Sequence, residues 1–151
     1  MADVLPFMAN RWRLDSNSIA IAGAGMGGQA ALRLAFKYPE QFSIVGALDA
    51  ALDHHELYDQ GTPLDTMYPS REHCRQDTAI LHIHPVKQPA HLWFGADPGS
   101  RWFRGNDRLH EKLSALGISH TFIERSGIGG DWNALLKFLG ESLEVQSRRL
   151  L

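Results

Sequence analysis

The chain has 151 residues, 44% of them hydrophobic, with 15 Lys and Arg against 17 Asp and Glu and a formal net charge of −2. That size and balance describe one globular domain with an ordinary core, and they exclude a disordered chain and the basic footprint of a nucleic-acid binder. No apolar run is long enough to span a bilayer, the N-terminus lacks a signal-peptide layout, and Cys74 is the single cysteine, which excludes an internal disulfide framework. The expectation is a soluble, cytoplasmic, single-domain protein with no nucleic-acid or membrane partner.

Val4 to Arg13 predicts a short helix, with Pro6 tolerated in its first turn. Ile19 to Ala22 is a short apolar strand that runs into Gly23-Ala24-Gly25-Met26-Gly27-Gly28. Gly28 to Tyr38 places Ala30, Ala31, Leu34 and Ala35 at helical spacing, and Pro39 marks the end. Phe42 to Leu48 reads as a second buried strand. Asp49 to Asp77 is broken by Gly61, Pro63 and Pro69, so it predicts loop with one or two helical turns.

Ala90 to Phe94 predicts a third strand, followed by the polar loop Gly95 to Gly105 and a helix from Asn106 to Leu116 closed by Gly117. His120 to Glu124 is a fourth strand and Ser126 to Gly130 a glycine-rich loop. Asp131 to Val145 is the last helix, with Trp132, Leu135, Leu136, Phe138 and Leu139 available for an apolar face. Strands alternating with helices imply βαβ crossovers and a small parallel sheet covered on both faces.

The glycine turn admits two readings. As written it satisfies G-x-G-x-x-G, and Asp49 lies at the end of the next strand, where a ribose-binding acid would sit. That pattern alone is a weak indication of a dinucleotide or flavin site. With a serine at position 25 the same stretch would be the G-x-S-x-G nucleophile elbow of a hydrolase.

The stretch "SIAIAGAGMGGQAALRLAFKYPEQFSIVGALDAAL" resembles the elbow region of the putative-esterase family of α/β-hydrolases, which includes S-formylglutathione hydrolases, siderophore esterases and mycolyltransferases. "KYPEQF" and "VGALDAAL" match the family's continuation after the elbow, which a dinucleotide site does not require. "HLWFGADPGSRWFRGNDRLHEKLSALGISHTFIE" is similar to the segment from the acid-bearing strand end onward, and "GGDWNALLKFL" resembles the start of the terminal helix. The resemblance implies a truncated α/β-hydrolase-like three-layer sandwich of about four parallel strands. Residues 1–151 would form a single partial domain, running from elbow strand to terminal helix without the N-terminal half of the family fold. The outer edge of the elbow strand would then stand unpaired. Either the chain is a fragment of a longer protein, or it covers that edge as a homo-oligomer or with a partner chain.

The resemblance also assigns the catalytic slots. Gly25 occupies the nucleophile position, and glycine has no group that forms an acyl-enzyme. The N–H of Met26 falls at the oxyanion-donor position, and Asp97 in the acid slot. The histidine slot falls on Ile128 or Gly130, neither of which is a base. With serine and histidine both missing, the expected function is a degenerate, non-catalytic esterase-like domain that binds or assembles, with a possible small-molecule ligand and no metal or cofactor. A divergent hydrolase using His54, His55 or Asp97 is the alternative, and the dinucleotide or flavin site a second one.

Other residues carry weaker signals. His54 and His55, beside Asp53, suit a metal or acid–base role, although a doubled histidine in a polar loop is more often solvated surface. His82 and His84 would share one face if extended, a possible zinc half-site without an evident third ligand. Cys74 has basic neighbours that would lower its pKa, yet alone it is more often an incidental thiol.

Overall fold

The computed structural model describes residues 4–12, 19–128 and 132–150. In chain order the elements are α1 (Val4–Arg11), β1 (Ala20–Ala24), α2 (Met26–Lys37), β2 (Ile44–Leu48), α3 (Leu64–Met67), α4 (Arg71–Gln76), β3 (His91–Ala96), α5 (Phe103–Ala115), β4 (Thr121–Glu124) and α6 (Trp132–Leu150). Two 3-10 turns, His54–Leu57 and Ala79–His82, lie between β2 and β3.

The strands pair in parallel in the order β1-β2-β3-β4. In register, Ala24 faces Leu48 and Leu48 faces Gly95, so the three strand ends that carry the candidate site lie side by side. Alternate residues point to opposite faces of a strand. Val45, Ala47, Leu92 and Phe94 therefore join Leu32, Ala35 and Phe36 of α2 and Leu109 and Leu113 of α5 in one core. Leu48 and Trp93 meet Ile128 and Phe138 of α6 in a second cluster. Phe138 is fully buried, its ring centroid 5.1 Å from that of Trp93. The result is a parallel sheet covered by helices on both faces, as the alternating pattern predicted, and a three-layer α/β sandwich, as the family resemblance implied. β1 and β4 are the edge strands of the described sheet, and Ala22 of β1 is exposed.

The differences from the sequence reading have local causes. β1 extends two residues further, because Gly23 and Ala24 pair with Ala47 and Leu48. α5 begins at Phe103 rather than Asn106, since the Ser100 hydroxyl accepts the Trp102 N–H at 3.1 Å and starts the helix early. The predicted loop from Asp49 to Asp77 holds a 3-10 turn, α3 and α4. Asp65 organises it by accepting the N–H groups of Asp59 at 2.8 Å, Gly61 at 2.9 Å and Thr62 at 3.2 Å. Position 13, the expected end of α1, lies outside the described residues, as does the start of the last helix at position 131.

Candidate functional site

Two glycines give the turn after β1 its shape, each for a different reason. Gly25 is the N-cap of α2 with φ 54° and ψ −122°, a conformation that L side chains rarely adopt. Its N–H donates to the Leu48 carbonyl at 2.9 Å, and its own carbonyl accepts from Gln29 at 3.0 Å and Ala51 at 2.9 Å. Gly23 is fixed by contact instead. A Cβ there would lie 2.4 Å from the carbonyl carbon and oxygen of Gly27, so the strand end and the helix start touch backbone to backbone.

The turn from β1 into α2 is thus strained at Gly25, the position the resemblance gives to a nucleophile, and that position carries no side chain. A Cβ built on Gly25 meets nothing within 4 Å, so the slot opens onto free space. Met26 is the first residue of α2 and is 46% exposed. Its N–H belongs to the helix's first turn, where backbone donors have no intrahelical acceptor and favour negative charge.

Asp97 follows β3 and is buried. Its Oδ1 accepts the Gly99 N–H at 2.8 Å, and its Oδ2 accepts the Gly127 N–H at 2.9 Å. The carboxylate therefore ties its own loop to the loop between β4 and α6, the place where a histidine would be needed. Ile128, the next residue, is buried against Leu48, Trp93 and Phe138. One of the two histidine slots is thus core. The other, Gly130, lies outside the described residues.

Asp49 is the acid that the sequence reading considered only for a ribose. It stands at the end of β2 with φ 45°, is buried, and its Oδ2 accepts the Ser100 hydroxyl at 2.5 Å. Burial pushes its pKa above the ordinary 3.8; the Ser100 hydrogen bond and the Asp97 N–H oppose this, and the Asp97 charge adds to it. Its Oδ2 is engaged with Ser100, while its Oδ1 is buried and has no hydrogen-bond partner. A buried acid in the left-handed region, touching the acid loop, has no sequence signature beyond its place at a strand end.

The remaining candidates are dispersed. The expectation of a solvated histidine pair fails, because His54 is buried in the 3-10 turn and its Nδ1–H donates to the Ala51 carbonyl at 3.0 Å. Burial holds its pKa below the ordinary 6.5. His55 is partly buried and shifted in the same direction by the same cause. His82 and His84 do not lie on an extended face. His82 closes a 3-10 turn with Nε2 2.8 Å from the Gln76 carbonyl, while His84 Nδ1 accepts the N–H groups of Val86 and Lys87, both at 3.1 Å. Among the described residues no three His, Cys, Asp or Glu side chains gather as a metal site. Cys74 is buried on α4, and that burial raises its thiol pKa, opposite to the shift expected from its basic neighbours. The sequence reading also missed a histidine pair: His110 Nδ1 stands 2.8 Å from His120 Nε2, beside Phe122 and Phe94.

Comparison with known proteins places this geometry. The family model described as "Putative esterase" matches residues 1–126. A ferulic acid esterase structure superposes with a TM-score of 0.81 at 18% identity, over 99% of this chain and 59% of its own. The fluorophosphonate-binding serine hydrolase F of Staphylococcus aureus gives 0.79 at 16% identity, over 96% and 61%. An S-formylglutathione hydrolase from Agrobacterium tumefaciens gives 0.76 at 19% identity, over 99% and 56%. The chain thus spans roughly three-fifths of the length of these structures, and at such identities the likeness shows the fold. No curated protein sequence matches it. Among the described residues no helix is long and apolar enough to cross a membrane.

Proposed function

This chain belongs to the putative-esterase family, and we propose that it is a non-catalytic member that uses the esterase scaffold for binding or assembly. The observation that carries the reading is Gly25: the elbow turn keeps its strained φ of 54°, while the position that would hold the nucleophile has no side chain. An acyl-enzyme needs a hydroxyl, thiol or carboxylate at that point, and a base to activate it. Neither candidate for the histidine slot, Ile128 or Gly130, supplies a base. What remains is electrostatic: the Met26 N–H and the N-terminus of α2 attract an oxyanion, and Asp97 ties the loop after β3 to the loop after β4.

Such a site holds a small-molecule ligand at the carboxyl ends of the strands, the place where open α/β sheets bind ligands. The chain as given forms a single partial domain. The outer edge of β1 has no strand beside it among the described residues, and it is where a further strand, of a longer chain, a second copy or a partner chain, would continue the sheet. A buried free Cys74 fits a reducing, cytoplasmic setting.

The test is hydrolysis of p-nitrophenyl acetate by the purified protein against a heat-killed control. The proposal expects equal rates; saturable turnover above the control overturns it. Light scattering tests the assembly role, which a monomeric mass at micromolar concentration contradicts.

One observation favours a second reading. Ser100 donates to Asp49 at 2.5 Å, a hydroxyl–carboxylate pair in the acid loop. In a divergent hydrolase Asp49 would take the proton as Ser100 Oγ attacked the ester carbonyl and return it to the departing alkoxide, leaving the acyl group on Ser100 for water to release. Loss of a measured activity in Ser100→Ala supports that reading, and unchanged activity removes it.

A further inference from the structure

Away from the elbow, a cavity of about 220 Å3 opens between the 3-10 turn after β2, α4, the second 3-10 turn and α5. Gly25, Met26 and Asp97 do not line it. Leu52, Ile80 and Leu81 give it apolar surface, and Asp53, His55, Arg75 and Arg108 give it polar groups. Gly105 matters on the α5 side, where a Cβ would fall 2.9 Å from the Leu52 Cβ and 3.2 Å from Asp53 Oδ2. No side chain at that position covers the carboxylate.

Two buried atoms of this lining, Asp53 Oδ2 and His55 Nδ1, have no hydrogen-bond partner. Buried polar atoms in folded proteins are nearly always bonded, so each asks for a missing partner. The Asp53 side chain is nine-tenths buried, and its cations approach only to ion-pair distance: Oδ2 is 3.5 Å from Arg104 Nε, and Oδ1 is 3.7 Å from Arg108 Nη1. Burial holds the His55 pKa below 6.5, so at neutral pH its ring has one donor and one acceptor nitrogen. Arg75 donates to Glu72 through Nε at 2.8 Å and Nη2 at 2.7 Å, which leaves Nη1 for another acceptor. The cavity thus offers an acceptor at Asp53, donors at Arg75 and Arg108, and one of either kind at His55.

Its charges are already balanced. The ion pairs around it join Asp53, Glu56 and Glu72 to Arg75, Arg104 and Arg108, three carboxylates to three guanidinium groups. A cation on Asp53 would stand beside two guanidinium groups, and an anion on Arg108 would stand beside Asp53. A zwitterion would bring two full charges out of water. The lining therefore suits a neutral head that both donates and accepts. We propose that this cavity binds a small aliphatic primary carboxamide, its N–H on Asp53, its carbonyl on Arg75 and Arg108, and its chain against Leu52, Ile80 and Leu81. His55 takes the second N–H or donates to the carbonyl, according to its tautomer. The site is separate from the elbow, and the proposal holds whether or not the chain hydrolyses esters.

The test is a titration of the full chain at neutral pH with butyramide, butyrate, butylammonium and α-aminobutyrate, followed through the Ile80 methyl and His55 ring resonances in NMR spectra. Butyramide is expected to shift both saturably with a Kd on the order of 1 mM, as befits so small a ligand, and the three charged analogues to bind about fivefold more weakly or less. Asp53→Asn exchanges a charged acceptor for a neutral one and leaves the guanidinium groups in excess. It is expected to weaken butyramide by about fivefold and to make butyrate the tighter ligand. Leu81 is 44% exposed, so Leu81→Trp fills the cavity without disturbing the core or a charge, and it is expected to abolish the butyramide shifts whatever Asp53→Asn does to folding. Absence of saturation, any charged analogue binding as tightly as butyramide, or unchanged butyramide affinity in either folded variant overturns the proposal.

Discussion

Replacing Gly25 by serine places a hydroxyl at the N-cap of α2, the nucleophile position in the proposed reading, and the structure sets both its cost and its consequence. A non-glycine residue at φ 54°, ψ −122° occupies a sparsely populated region, which costs about 1–3 kcal/mol. Removing a glycine also restricts the unfolded chain, which returns about 0.4–1 kcal/mol. With no atom within 4 Å of the new Cβ there is no steric addition. The net destabilisation is therefore roughly zero to 2.6 kcal/mol. Gly23→Ala is the control. Its Cβ would stand 2.4 Å from backbone atoms of Gly27, neither of which is a flexible side chain end, so about 3 kcal/mol or more is expected. Urea unfolding of both variants, compared at equal m-values, reads the difference. Esterase assays of Gly25→Ser should stay at the wild-type level, because among the described residues no side chain comes within 4 Å of the new Cβ to act as its base. A Gly25→Ser variant less stable than Gly23→Ala, or one that turns over p-nitrophenyl acetate, would refute this account of the elbow.

Further outcomes follow from the neighbouring groups. Asp97→Ala leaves the Gly99 and Gly127 N–H groups without their acceptor and should lower stability by about 2–4 kcal/mol in urea melts, with Asp97→Asn losing less. Asp49 has a raised pKa in the folded state, so the native protein holds its proton more tightly than the unfolded chain, and stability falls as pH rises from 3.8 through the folded value. Asp49→Asn should accordingly gain on the wild type across that rise and differ least well below pH 3.8, as melts at several pH values will read. His54 behaves oppositely: its folded pKa is lowered, so its contribution is complete above pH 6.5 and is lost as pH falls below it, a fall that His54→Gln should flatten. The buried Cys74, with its raised pKa, should react with a thiol reagent only on unfolding, which a time course with and without urea measures.

The parts legible from sequence were those fixed by local pattern. The apolar runs around Ile21, Val45 and Phe94 and the helix spacing of Ala31, Leu34 and Ala35 specify strands and helices without reference to the rest of the chain. The glycine turn was legible too, since G-x-G-M-G-G after a strand leaves few conformations. What escaped was set by contacts between distant segments. His54 sits in a polar stretch, and only the fold of the loop after β2 buries it against the Ala51 carbonyl. The link between Asp49 and Ser100 spans 51 positions, and that between Asp97 and Gly127 spans 30, so neither has a short-range signature. The segment holding α3 and α4 read as loop because its helices are too short for periodicity. Side-chain bonds such as those of Asp65 and Asp77 hold it in place.

The central claim is that the elbow carries no nucleophile, and covalent labelling reads it most directly. The purified chain, incubated with a fluorophosphonate probe and measured by intact-protein mass spectrometry, should keep its unmodified mass while an active serine hydrolase in the same buffer gains the adduct. A stoichiometric adduct on this chain would contradict the account, and its position, at Ser100 or elsewhere, would identify the group that has taken the place of the missing serine.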